Sequence, residues 1–247
     1  MKVYHLVYEP TSKSVDIHFW TQCTLACRAC YTRYETLDFG LFDDPIAHIA
    51  CKSPERAPSQ FLSLEEVIAL LRGREVRAAI FVGTEAALDP EMPALAKALH
   101  GEFNSYNILL TNGLKLADMR DINEVIFSLK AVTPAGHKAY TGKDNAAILK
   151  NFEALTRSGK KMQSETVLIP GLIEADEVER VAGFIAGIDK RITLRIDAYF
   201  PVGDNPWRAA TAAEVEKAAC LARQHLDKVT CLTLDMKRTG DKPLRLF

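Results

Sequence analysis

Short runs of β-branched and aromatic residues alternate along the chain with amphipathic stretches of helical period. The apolar runs predict strands over Ser14–Trp20, Ala78–Val82, Asn107–Thr111, Glu124–Leu129, Lys161–Leu168, Ile192–Asp197 and Val229–Leu234. Helical patterns lie between them. Leu64–Leu71 follows Ser63 with Glu66 three residues on, where hydroxyl and carboxylate can each satisfy an orphan amide of the first turn. Asn145–Ser158 stops at Gly159, Ala175–Ala186 stops at Gly187, and Ala212–His225 starts after Thr211 as its cap. Strands alternating with helices imply parallel βα units.

Six such steps and a last strand fall short of the roughly eight that a closed barrel needs. The expected fold is α/β: a partial (βα)6 TIM-like barrel, a parallel sheet with helices outside. An open doubly wound sheet fits the same count. Either form puts the active site at the C-terminal ends of the strands.

The chain has 247 residues, with 31 Lys+Arg against 32 Asp+Glu. A net charge of −1 argues against a nucleic-acid footprint or an anionic-membrane binder. The 48% hydrophobic and 26% charged content is that of a cored globular chain, read here as a single domain over 1–247. Its parts include a long polar and aromatic loop at about 21–60 and a C-terminal strand and tail at 227–247. The longest uncharged apolar run, Ala78–Gly83, is too short to span a bilayer. Met1–Glu9 has no apolar signal core followed by a cleavage site, so a cytoplasmic location is expected. The six cysteines then read as thiols or ligands rather than as a disulfide framework.

Three of them, Cys23, Cys27 and Cys30, follow the first predicted strand in a C-x3-C-x2-C pattern. Such spacing lets three thiolates converge on one soft metal centre. Three readings compete. The thiols could be inert. They could hold zinc, with Cys51 or His48 as the fourth ligand that a structural site requires. They could hold a [4Fe–4S] cluster whose fourth iron is left open to a small molecule. Cys220, in a helical pattern, and Cys231, in the last strand, read as small buried hydrophobes.

The cysteine pattern at the end of a first strand resembles the signature of the radical SAM superfamily. From about Val15 to Leu234 the chain resembles activating enzymes for glycyl radical enzymes, of the pyruvate formate-lyase activase type. Gly83-Thr84-Glu85 is similar to the Gly-Gly-Glu segment after the second strand, whose backbone meets the amino group of S-adenosylmethionine. Leu110-Thr111-Asn112-Gly113 resembles the family's Thr-Asn-Gly turn. Ser128-Leu129-Lys130 resembles its Asp-Leu-Lys, whose lysine approaches the ligand carboxylate. Ile169-Pro170-Gly171 resembles the stretch lying along the adenine, and Tyr199–Gly203 the segment closing the sixth strand. The departures are Ala29 at an aromatic position beside Tyr31, Leu110 and Ser128 for two aspartates, Phe200 for the ribose histidine, and Glu165 for a basic residue. The Asp-Gly-Pro-Gly stretch before the first strand is missing.

The resemblance implies a [4Fe–4S] cluster and S-adenosylmethionine as cofactors. One electron from the cluster would cleave the sulfonium to methionine and a 5′-deoxyadenosyl radical, which takes hydrogen from a substrate. A reducing flavodoxin or ferredoxin type donor, an anaerobic setting and a glycyl radical enzyme as partner follow from it. Substrate choice would rest on Glu165, Arg195 and Asp197 at strand ends; the last two share a strand face. Ala131–Gly136, after Lys130, reads as loop.

Overall fold

The computed structural model describes residues 1–49, 56–237 and 239–247. In chain order its strands are β1 (Val3–Glu9), β2 (Ser14–Phe19), β3 (Ala78–Gly83), β4 (Tyr106–Thr111), β5 (Glu124–Ser128), β6 (Lys161–Leu168), β7 (Thr193–Ala198), β8 (Val229–Leu232) and β9 (Leu244–Arg245). They form one sheet in the order β8-β7-β6-β5-β4-β3-β2-β1-β9. From β2 to β8 every neighbour is parallel and sequential. A doubly wound sheet reverses its order at a switch point. This sheet has no reversal, and the partial barrel is the form the chain takes.

Two strands lie outside the expected pattern. β1 pairs antiparallel with β2, and β9 with β1. Six of the seven residues of β1 are buried, so it shows none of the alternation that marks a half-exposed strand. β9 has two residues and cannot show a period.

Helices α1 (Pro45–Ile49), α2 (Leu64–Leu71), α3 (Met92–Phe103), α4 (Pro134–Thr141), α5 (Ala146–Arg157), α6 (Ala175–Asp189) and α7 (Ala212–Ala222) make up the rest. The Ser63 cap forms as expected: its hydroxyl accepts from Glu66 N, and the Glu66 carboxylate accepts from Ser63 N. The expectation of six strand–helix steps needs correction, because residues 112–123 join β4 to β5 without a helix. The loop expected after Lys130 is also shorter, since α4 begins at Pro134. Proline there is well placed, because its missing N–H lies among the unpaired donors of a helix start.

The strands explain where the site sits. Residues Phe81, Leu109, Phe127, Leu194 and Ile196 are fully buried beneath the helices, with Phe127 edge-on to Phe152 of α5 at 5.1 Å. Alternate residues, Ile80, Ile108, Ile126, Glu165 and Arg195 among them, face a half-exposed trough. One face thus carries the core, where each buried phenylalanine contributes about 1.5–3 kcal/mol. The other is left for chemistry. Among the described residues no helix is long and apolar enough to cross a membrane.

Candidate active site

Beyond Phe19 the chain crosses the C-terminal rim of the sheet. There Cys23, Cys27 and Cys30 line one cavity of about 470 Å³ with Trp20, Leu25, Arg33, Tyr34 and Thr84. The end of α4 pins this loop: Ala26 N donates to Thr141 O at 2.9 Å and Arg28 N to Tyr140 O at 3.0 Å. Asn205 Nδ2 holds Arg28 O at 2.9 Å, and the Arg28 guanidinium lies over Trp207 at 4.5 Å.

Two donors point at the Cys23 sulfur, Leu25 N and Asn112 Nδ2, each at 3.5 Å. Burial nevertheless pushes the Cys23 thiol up, and pushes Cys27 to about 11 against the pull of Lys130. A metal centre held by these sulfurs would displace their protons on binding. Among the described residues no three His, Cys, Asp or Glu side chains converge on a single-ion site. Three thiols lining one cavity are a donor set that fits an iron–sulfur cluster with one iron left open.

His48, the expected alternative zinc ligand, is bonded to Glu35 at 2.5 Å and stacked on Phe42. Cys51 lies outside the described residues. The expectation that Cys220 and Cys231 are buried also fails: Cys220 is exposed and Cys231 half-buried, both near the Glu216 carboxylate.

Next to the cysteines, Gly83 ends β3 at φ +114°, where an added Cβ would lie 2.2 Å from Phe19 O. Only glycine allows β2 and β3 to meet this closely. Thr84, which replaces the family's second glycine, is used structurally. Its hydroxyl accepts from Thr21 N at 2.9 Å and contacts Thr21 O at 2.5 Å, tying the turn to the cysteine loop. Glu85 is buried and bridges strand ends, accepting from Thr111 Oγ1 at 2.6 Å and Asn112 N at 2.9 Å. Burial raises its carboxyl, and these bonds oppose the rise.

A second group sits on the trough. Lys130 Nζ donates to Ser128 Oγ at 2.9 Å, and Ser128 Oγ donates to Glu165 at 2.5 Å. Arg195 Nη2 reaches Glu165 at 2.5 Å and its Nε reaches Asp197 at 2.7 Å. Burial acts to lower Lys130, but the acidic groups around it, Tyr140, Cys27 and Glu165, outweigh that and hold it raised. Arg195 and Asp197 thus share the trough with Glu165.

Tyr31 and Phe200 meet through Phe39, at ring distances of 4.5 and 5.5 Å, across the rim. Ala29 is half-buried between the second and third cysteines. Ile169 stands apart. It is fully buried, and its backbone N and O both bond Ile173 within the Pro170–Gly171 turn.

One cluster escaped the sequence reading. His18 Nε2 and Asp38 are 2.9 Å apart beside a smaller cavity of about 110 Å³ that Tyr31 and Gly83 also line. Burial, with the charges of Asp38 and Glu9, raises Asp16 to about 8. The available signal was the alternation in β2, where Asp16 and His18 interrupt Val15, Ile17 and Phe19.

The chain is similar to known proteins of one family. The model of the radical SAM superfamily matches residues 17–185. A protein of Methanocaldococcus jannaschii, provisionally named a glycyl-radical enzyme activating enzyme, is 31% identical over 170 residues, 64% of each chain. The chain thus spans just under two thirds of that relative's length. A solved domain of pyruvate-formate lyase-activating enzyme from Bacteroides vulgatus superposes with a TM-score of 0.53 at 18% identity, covering 63% of this chain and 98% of that one. Streptococcus suis SuiB, solved bound to S-adenosylmethionine, gives 0.61 at 12% identity over 85% of this chain and 48% of its own. At such identities the solved structures speak for the fold alone. The family match takes in the cysteine loop, the Gly83 turn and Lys130, and the chain belongs to the radical SAM superfamily.

Proposed function

We propose that this enzyme is an activase of the glycyl-radical type, with Cys23, Cys27 and Cys30 each holding one iron of a [4Fe–4S] cluster. When bound, the cluster supplies one electron to S-adenosylmethionine, whose cleavage to methionine and a 5′-deoxyadenosyl radical provides the hydrogen-abstracting species. The chain supplies binding, orientation and exclusion of water. Lys130 offers a fixed ammonium to the ligand carboxylate. The backbone at Gly83–Glu85 faces the ligand amino group, and Glu85 keeps that turn fixed against Thr111 and Asn112. Tyr31 and Phe200 border the nucleoside side of the rim. Ile169 contributes apolar contact only, since its backbone is committed. A flavodoxin or ferredoxin type donor delivers the electron, in an anaerobic cytoplasm.

The observation that carries this reading is the placement of three thiols around one cavity, with Lys130 near enough to Cys27 to bias its proton. The test is chromatography of the anaerobically reconstituted, dithionite-reduced protein with S-adenosylmethionine. 5′-Deoxyadenosine is expected, released slowly without the true substrate. A cluster-replete, reduced sample that binds the ligand and releases none would overturn the reading. Methylthioadenosine would assign cleavage to a different carbon–sulfur bond.

A second reading keeps the radical chemistry and changes the target to a small molecule or a protein side chain. Glu165 and Phe200, standing where the activases carry a basic residue and a histidine, favour it.

A further inference from the structure

Arg195 pairs in register with Glu165 on one side and Thr230 on the other, on the half-exposed face of the sheet. Its guanidinium is fixed from one edge. Nε donates to Asp197 Oδ1 at 2.7 Å, and Nη2 donates to Asp197 Oδ2 at 3.0 Å and Glu165 Oε2 at 2.5 Å. Guanidinium has five N–H donors, and these contacts use the Nε and Nη2 groups. Among the described residues Nη1 has no partner, while the side chain remains 37% exposed. Two hydrogens therefore project from a group that cannot rotate without breaking three bonds.

The charge around those hydrogens decides what they can receive. Asp197 accepts at both oxygens, as an ionised carboxylate does, and Glu165 accepts from Arg195 and Ser128. One cation thus faces two carboxylates. Lys130, the other cation of the network, is committed to the ligand carboxylate in the function proposed above, on which this inference rests. A further anion at Nη1 would meet a net negative group in a partly desolvated site. A neutral carbonyl accepts the same hydrogens without that repulsion.

We infer that Arg195 is a specificity residue that holds a neutral amide carbonyl, so that the trough takes a peptide backbone and rejects a free carboxylate. Glu165 and Asp197 are positioning residues for it.

The test compares two probes, acetyl-Ala-Gly-amide and acetyl-Ala-Gly free acid, by calorimetry on the reconstituted, unreduced protein with S-adenosylmethionine present. The amide is expected to bind about ten-fold tighter or more, since the acid brings a like charge against Glu165 and Asp197. Arg195→Lys, which keeps the charge and loses the fixed fork, should weaken the amide and bring the two probes close to parity. Glu165→Gln removes one negative charge and should move the preference toward the acid, a shift that loss of packing would not produce. A parent that prefers the acid, binds neither probe at millimolar concentration, or keeps its ratio in Glu165→Gln overturns the inference. Should Arg195→Lys fail to fold, the Glu165→Gln ratio decides. Binding is read without reduction, so its outcome is separate from that of the cleavage assay.

Discussion

The Ser128 hydroxyl stands between Lys130 and Glu165, accepting from the ammonium at 2.9 Å and donating to the carboxylate at 2.5 Å. Serine stands here in place of the family's aspartate, so position 128 itself offers Lys130 no carboxylate. A carboxylate is present one hydroxyl away, on the neighbouring strand, because Ser128 and Glu165 are register partners.

Lys130→Ala should weaken S-adenosylmethionine binding by about 10–150-fold, the worth of a hydrogen bond to a charged group at roughly 1.5–3 kcal/mol. Iron content should not change, because the lysine ligates no metal. Equilibrium binding and iron analysis on the same reconstituted preparation check both halves. Parent-like affinity would reduce Lys130 to a rim residue reaching for water.

Cys27→Ala should lose the cluster, and Cys220→Ala and Cys231→Ala should keep it. The first lies in the shared cavity and the others lie near Glu216 on α7. Iron and sulfide counts after anaerobic reconstitution are the measurement. Full iron occupancy in Cys27→Ala would sink the ligand assignment.

Gly83→Ala and Gly159→Ala separate backbone conformation from close approach. Both residues have positive φ, but a Cβ at Gly159 meets nothing within 4 Å, whereas at Gly83 it meets Phe19 O at 2.2 Å. Gly159→Ala should cost about 1–2 kcal/mol, a Tm loss of roughly 2–8 °C for a chain of this size. Gly83→Ala should lose clearly more. Equal losses in thermal melts would show that the β2–β3 junction relaxes freely.

Asp16→Asn should stabilise the protein at alkaline pH and do little in acid. The folded carboxyl is raised to about 8 by burial and by Asp38 and Glu9, against an ordinary value near 4. Between these values the unfolded chain releases a proton that the folded chain keeps. Stability therefore falls as pH rises from about 4 to 8 and levels off above. The Tm advantage of Asp16→Asn should grow across that window. A constant difference from pH 5 to 9 would remove Asp16 as the source.

The strands β2 to β8 and the cysteine loop were readable because each carries a local signal, a run of apolar residues or a fixed spacing. Lys130 was placed at the rim from the end of its strand, and the structure keeps it there. The pairing of Glu165 with Arg195 was not readable, since it depends on register between strands 30 residues apart. Nor was the support that Tyr140 and Thr141 give the cysteine loop, which is carried by backbone groups on a helix that the Ala131–Gly136 stretch concealed. Ile169 was placed by a motif match alone, and what the sequence did not show is that its backbone N and O bond Ile173 within its own turn.

Among the described residues the sheet ends in two edges, β8 at one side and β9 at the other, and does not join them. In a closed eight-stranded barrel the interior is filled by its own side chains. A curved strip has no such obligation, which is why Ile80, Ile126 and Arg195 remain half-exposed in the middle of the sheet. Its size limit is set along one direction only. A guest need not fit inside whole; a bend of a much larger molecule can enter sideways between the edges and leave the same way.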